Sequence, residues 1–162
     1  MILRDLPSKS RVFIDSNIFI YHFLDISEPC TDFLERVELR EIEAYTSTVV
    51  IAEVLHRLMI AELIEKYGVK SSKALKYLKE RPEVLSELEK CEIAVKEIQA
   101  FRIKILSVPI DAVFQSENLR KEYYLLTNDS LNVYVMKING LTDIATNDFD
   151  FERVEWLKVW KP

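Results

Sequence analysis

Glycine occurs only twice, at Gly68 and Gly140, so neither a GxxxxGK[ST] nor a GxGxxG phosphate loop can be built. Nucleotide chemistry of the P-loop or Rossmann kind is thereby excluded. Cysteine and histidine are as scarce. Cys30 and Cys91 make no disulfide framework, His22 and His56 lie far apart, and no zinc-ligand spacing exists, so both thiols are expected to be reduced and structural. No apolar run reaches the ~18 to 20 residues that span a bilayer. The longest, near Ile14 to Leu24 and Thr48 to Leu55, are broken by His22 and Glu53. Early charges at Arg4 and Asp5 and the lack of an apolar h-region leave no secretory signal, which predicts a cytoplasmic protein. Positive charge is also in deficit. A net charge of -5 argues against broad attraction to polyanions, but not against a nucleic-acid substrate at an acidic site neutralised by divalent cations.

What is present suffices for one domain with a real core: 162 residues, 49% of them hydrophobic, with no linker, Pro/Ser tract, low-complexity block or internal repeat. The stretch Arg11 to Asn17, RVFIDSN, organises the rest. Val12, Phe13 and Ile14 form an apolar, β-prone run, and Asp15 ends it with a carboxylate beside Ser16 and Asn17. In open α/β sheets ligands bind outside the carboxyl ends of the strands, so this strand delivers an acid to the functional rim. Glu53, Asp129 and Asp148 fall where strands and helices of the same sheet can bring them to that rim. The pattern points to a metal-dependent nuclease site.

Along the chain, Asn17 to Leu24 reads as a short buried helix. Glu28 to Arg40 is a second helix, with Pro29 near its start and Phe33, Leu34 and Val37 on one face. Glu43 to Thr46 is a short strand. Thr46, Ser47 and Thr48 offer N-caps for a long helix through about Lys66, with Gly68 as its stop. Glu53 sits in that helix among Val49, Val50, Ala52 and Val54, where an unpaired charge is costly. It needs compensation, either from a site or from Arg57 at i+4.

Ser71 and Ser72 are placed to cap another helix, Pro82 to start a new one, and that helix to run to about Arg102. Val84, Leu88, Cys91, Val95 and Ile98 recur as an apolar stripe with Cys91 as a small hydrophobe. Lys73, Lys76 and Lys79 recur every third residue, either as a solvated face or as a stripe that touches RNA. Ile103 to Val108 is the next strand. Asp111 to Tyr124 reads as a helix with Val113, Phe114 and Leu119 turned inward. LLTNDS then precedes a helix from Leu131 to Asn139, with Asp129 at its N-terminal turn, where an acid also serves as an ordinary cap. Leu141 to Thr146 is a strand, and TNDFDF follows it with Asp148 and Asp150, which an Asx-turn would equally explain. The last segment packs back on the domain with an edge strand near the C-terminus.

Four acids in the order strand-end Asp, helix Glu, helix-start Asp, strand-end Asp resemble the PIN-domain nucleases, including the VapC-type toxins of toxin-antitoxin pairs. The matching pieces are VFIDSN at 12 to 17, STVVIAEVLHR at 47 to 57, TNDSLNVYVMKINGL at 127 to 141 and IATNDFDF at 144 to 151. The resemblance implies an α/β fold, a PIN-like three-layer α/β/α arrangement with a central parallel sheet, in a single domain over 1–162. It also implies a Mg²⁺ or Mn²⁺ site that hydrolyses single-stranded RNA. Metal-site roles fall to Asp15, Glu53, Asp129 and Asp148, with Ser16, Asn17, Thr146 and Asp150 as supporting positions. An antitoxin protein and a homodimer are the implied partners, and no membrane. One departure stands out: residues 69–102 form an added helical segment, longer than the connection in compact toxins.

The residue types suit that chemistry by themselves. Mg²⁺ takes oxygen ligands and keeps several waters, so a few carboxylates hold it while leaving room for a phosphate oxygen. Clustered carboxylates raise one another's pKa, which couples metal binding to ionisation. Three rival readings are an RNA-processing factor of the same fold, a non-catalytic binding module whose acids only satisfy caps and turns, and a haloacid-dehalogenase-type phosphatase. The last also places an Asp after its first strand but wants a second Asp two residues on, where Asn17 stands.

Overall fold

A computed structural model describes residues 1–162. Its centre is a sheet of five parallel strands, β1 (Arg11–Ile14), β2 (Glu43–Ser47), β3 (Lys104–Leu106), β4 (Asp143–Ala145) and β5 (Lys158–Trp160), in the order β3-β2-β1-β4-β5. Parallel strands need crossovers, and helices supply them: α1 (Ser16–Phe23), α2 (Glu28–Glu38), α3 (Thr48–Tyr67), α4 (Ala74–Glu80), α5 (Lys90–Ala100), α6 (Ile110–Tyr123) and α7 (Thr127–Ile138). Val12, Phe13, Ile14, Ile144 and Ala145 are wholly buried without alternation, as expected of central strands covered on both faces. Phe13, Phe19, Phe33 and Phe151 fill the main core.

The strand order reverses between β1 and β4, where β2 and β3 depart to one side and β5 to the other. At such a switch point adjacent crossovers leave on opposite faces and open a crevice above the strand ends. Ile14 pairs with Ala145, so Asp15 and Thr146 emerge side by side into it.

The long helix α3 starts and stops as the sequence predicts. Ser47 Oγ accepts from the Val50 N–H at 3.1 Å, and Gly68 ends the helix at φ 62°, a left-handed conformation without penalty for glycine. Pro29 occupies the first turn of α2.

Several sequence expectations are corrected. The predicted helix from Pro82 to Arg102 is a 3₁₀ turn, Pro82–Glu87, followed by α5. The break is fixed by Glu62, a buried carboxylate on α3 that accepts the Glu89 and Lys90 N–H groups at 3.0 and 2.8 Å and pairs with Lys66 at 2.6 Å. Burial alone would push the Glu62 carboxyl up, but these donors outweigh it and hold it below its usual range. The expected stripe therefore rotates: Ala94 and Ile98 are buried, Cys91 is half-buried, and Val95 is exposed. Val84 joins a small separate cluster with Leu63, Ala74 and Leu78.

Ser71–Lys73 is also a 3₁₀ turn, and neither serine caps α4, so Lys73 does not share a helix with Lys76 and Lys79. In α6 the inward face is Ala112, Ser116 and Leu119, whereas Val113 and Phe114 are exposed. Small residues let α6 lie close against α7, and that outweighed apolar content. The helix α7 begins at Thr127 rather than Leu131, and the strands β3 and β4 are shorter than predicted.

Candidate active site

Asp15 leaves β1 and enters α1 as its N-cap, 5% exposed. Its Oδ1 accepts from the Ser16 N–H at 2.7 Å. Its Oδ2 accepts from Thr146 Oγ1 at 2.6 Å and from Asn17 Nδ2 at 2.7 Å. The buried Thr146 hydroxyl in turn accepts from Asn17 Nδ2 and from the Asp148 N–H, each at 3.0 Å, and Asn17 Oδ1 accepts from the Asn147 N–H at 3.0 Å. One network thus locks the ends of β1 and β4 together and fixes the Asp15 carboxylate. Burial pushes the Asp15 carboxyl up to about 6 against the hydrogen bonds from Thr146 and Ser16, and repulsion from Glu53 and Asp148 adds to the rise.

The four sequence-predicted acids come together. Asp15, Glu53, Asp129 and Asp148 line one cavity of about 370 Å³, with Ser16, Asn17, Tyr21 and Arg57 on its walls. Asp129 is in the first turn of α7 but caps nothing; no side-chain cap bond exists there. Its carboxyl is pushed up to about 7, chiefly by burial and then by Asp15, Asp148 and Glu53. Glu53 is half-buried. The i,i+4 ion pairs that form are Glu62 with Lys66, Lys76 with Glu80, Glu92 with Lys96 and Glu117 with Lys121, and the pair Glu53 with Arg57 is not among them.

Asp150 stands apart from the cavity, held by Arg153 at 2.8 Å while its N–H donates to Asp148 Oδ1 at 2.8 Å. The lysines at 73, 76 and 79 are exposed, and Lys76 pairs with Glu80 at 3.6 Å. A second, larger cavity of about 750 Å³ shares Glu53 and Arg57 with the first and runs along α3 past His56 and Ile60 to Ser71 and Leu75, with Asn128 opposite. Sequence reasoning gave no site role to Asn128, His56 or Tyr21, and considered Arg57 only as a partner for Glu53. The helical period from Glu53, which puts His56, Arg57 and Ile60 on its face, was the available signal.

No three carboxylate, imidazole or thiolate groups are gathered tightly enough to make a ready-formed cage. That arrangement still fits Mg²⁺ or Mn²⁺. Such ions are held by one or two carboxylates and keep their waters, and two of these acids have pKa values raised by burial and by their mutual repulsion, both of which a cation would offset. The donor set is all oxygen, which suits hard cations and not zinc.

A fully parallel α/β sheet with a cluster of acids at its switch point defines the class of α/β protein to which the chain belongs. Within that class, the chain matches the PIN domain family over residues 12–157, and it belongs to that family. It is 31% identical over 151 residues to Ribonuclease VapC2 of Methanocaldococcus jannaschii, covering 93% of each chain. Its fold resembles VapBC2 from Rickettsia felis, solved bound to a DNA fragment from their promoter, with TM-score 0.60 at 17% identity over 93% of this chain and 98% of that one. It also resembles a toxin-antitoxin complex from Klebsiella pneumoniae, with TM-score 0.58 at 16% identity over 91% and 95%.

Proposed function

We propose that this PIN-domain chain is a divalent-metal-dependent endoribonuclease that hydrolyses phosphodiester bonds of single-stranded RNA, and that it is the toxin of a toxin-antitoxin pair. The observation that carries the reading is the single cavity lined by Asp15, Glu53, Asp129 and Asp148, none of which is paired with a lysine or arginine side chain although Arg57 stands on the same wall. A binding module whose acids serve as caps and turns is disfavoured by Asp129, which caps nothing. The resemblance to Ribonuclease VapC2 supports the choice of RNA. The test is incubation of purified protein with a mixed RNA pool in Mg²⁺, Mn²⁺ or EDTA. Cleavage with either cation and none with EDTA is expected; no cleavage under any condition favours the binding module.

The chain's own residues divide the work. Asp15 is held by Ser16, Asn17 and Thr146, so its carboxylate would hold a cation without reorganisation. Asp148, Asp129 and Glu53 complete the negative site. The cation, Mg²⁺ or Mn²⁺, would lower the pKa of water and offset charge on the phosphoryl group. The larger cavity along α3 admits the RNA chain beside the reacting phosphate.

No helix is long and apolar enough to cross a membrane. We place the protein in the cytoplasm, as one domain over 1–162 in which about 69–102 is the added helical part. A second copy or an antitoxin would meet the apolar residues Ile110, Val113 and Phe114, exposed on α6. An antitoxin segment would bring a cation, best a guanidinium, to the acidic rim in competition with the metal. Expression without such a partner is expected to arrest growth, and Asp148→Asn to relieve the arrest. Arrest that persists in Asp148→Asn assigns the toxicity to something other than this site.

Lys73, Lys76 and Lys79 belong to the segment that also lends Ser71 and Leu75 to the groove, and we take them as contacts to the RNA backbone. Reversing all three to Glu is expected to weaken RNA binding and to flatten its salt dependence by ~0.7 per lost phosphate contact. Cleavage at saturating RNA stays unchanged. An unaltered affinity and salt slope would leave them as a solvated face.

A further inference from the structure

At the opposite end of the sheet from the acids lies a cavity of about 430 Å³ that the reaction does not use. Asp15 and Asp148 follow the carboxyl ends of β1 and β4, with Glu53 and Asp129 lining the same cavity from α3 and α7, whereas the basic cavity sits where β2 and β3 begin, at Glu43 and Lys104. Strands of three to five residues separate the two rims by about 15 Å. Four cations line it in a chain of net charge -5: Lys9, Arg40, Arg102 and Lys104. Glu43 is bonded to Lys104 and also accepts from the Tyr45 hydroxyl at 2.6 Å, so that acid and that base cancel. The nearby Glu41 is occupied by Arg36 at 3.2 Å. Lys9, Arg40 and Arg102 have no side-chain partner.

Those three cations share a second property. Each is left-handed, with φ 66°, 61° and 55°, a conformation in which glycine costs nothing and other residues are strained. Arg40 and Arg102 directly follow the C-caps of α2 and α5, positions where glycine is the usual residue. A simpler account is that a cation there complements the helix dipole. The magnitudes do not close on that account. Two helix C-termini supply roughly -0.5 charge each, which leaves three free cations in excess by about +2, and Lys9 follows no helix.

We propose that this cavity is a second RNA-binding site, taking a backbone phosphate of the substrate on the rim opposite the acidic site. The proposal rests on the ribonuclease reading. A backbone phosphate is preferred to an acidic peptide because the ribonuclease reading already supplies an RNA strand. Its evenly spaced phosphates offer more than one anion to two guanidinium groups and an ammonium, and guanidinium forks bind phosphate oxygens bidentately. The floor is apolar, with Val37, Ile42 and Phe101, so water is poorly held against the bound anion. RNA that passes from the acids over β3, the edge strand, would engage both rims.

Replacing Arg40 and Arg102 together by glycine removes two charges and relieves two strained backbones, which offsets the lost helix-dipole contacts, so the variant Arg40→Gly/Arg102→Gly is expected to melt within a few degrees of wild type. Binding is measured by fluorescence anisotropy with a labelled RNA oligonucleotide in EDTA, where no cleavage is expected, at two salt concentrations. The double variant is expected to bind on the order of tenfold more weakly at low salt, with a salt slope shallower by about 1.4. Its cleavage of a dinucleotide too short to reach across the sheet should equal that of wild type in Mn²⁺. Unchanged affinity and slope overturn the second site while wild-type cleavage upholds the ribonuclease. Oligoglutamate that displaces the oligonucleotide at a lower concentration than unlabelled RNA does would instead assign the cavity to an acidic protein partner, and overturn it too. Wild-type protein that neither binds nor cuts RNA removes both readings.

Discussion

Asp15→Asn is expected to lower RNA cleavage by about 10³-fold or more, the scale on which enzymes lose rate when a preorganised charge at the reacting centre is removed. It should do so without unfolding the protein, and the hydrogen bonds say why. An asparagine oxygen still accepts from the Ser16 N–H, whereas the Thr146 hydroxyl, which already accepts from Asn17 and the Asp148 N–H, loses its acceptor at a cost of about 1 kcal/mol. The contact with Asn17 Nδ2 becomes donor against donor, a second loss of about 1 kcal/mol. Against that, the buried carboxylate with its pKa near 6 no longer has to ionise. A rise of about two units at 1.36 kcal/mol each means that ionised Asp15 costs the folded state about 3 kcal/mol at neutral pH without metal. That relief exceeds the two losses together, so the melting temperature in EDTA should equal or exceed that of wild type. Cleavage of an RNA pool in Mn²⁺, measured beside thermal melting by circular dichroism, checks both halves. A folded Asp15→Asn protein that still cuts at near wild-type rate removes Asp15 from the site.

Asp15 was readable in the sequence because an apolar run followed by an acid has few meanings in a parallel sheet, and Glu53 because Ser47 and Gly68 bracket its helix. The meeting of all four acids in one cavity follows from strand order, which periodicity does not encode; the family resemblance supplied it. Local errors have local causes. The cap residue of α7 is Leu126, which bears no capping side chain, so the visible polar residues Thr127 and Asn128 marked its start poorly. In α6, Phe114 and Val113 drew the inward face by hydrophobicity, while close approach to α7 selected Ala112 and Ser116. Glu62 looks like a surface acid beside Glu65 and Lys66. Its partners are backbone N–H groups of Glu89 and Lys90, and a backbone donor leaves no mark in a sequence. For the same reason the basic cavity was hidden: Lys9, Arg40 and Arg102 are far apart in the chain, and their left-handed backbones show only in three dimensions.

The stability of the metal-free protein is expected to fall as pH rises from about 4 to about 7, the reverse of an ordinary acid-sensitive domain. Asp15 and Asp129 have folded-state pKa values raised to about 6 and about 7 from 3.8, so across that window the folded state holds more protons than the unfolded one. Stability then declines with pH, because its slope follows the protons bound unfolded minus those bound folded. Asp15 contributes about 3 kcal/mol to the decline by neutral pH. Asp129 contributes less than its larger shift implies, since water reaches it and screens the repulsion. Glu117, held at about 2 by Arg120 and Lys121, and Glu43 and Glu92, lowered by their lysines, act the opposite way. Their stabilisation is present above about 4.5 and lost as pH falls through their folded values. The two trends place the optimum in EDTA between about pH 4 and 5. Mn²⁺ changes this, because it competes with protons for the same oxygens. At 100 times its dissociation constant it adds ~2.7 kcal/mol, roughly 5 to 10 °C in melting temperature for a chain of this size, and more of that gain appears at pH 7 than at pH 5. Asp129→Asn should flatten the upper part of the EDTA profile and reduce the Mn²⁺ gain. Thermal melts across pH 4 to 8 in EDTA and in Mn²⁺ decide the matter. A flat EDTA profile, or a Mn²⁺ gain equal in Asp129→Asn and wild type, would show that these carboxylates do not share one metal-binding cavity.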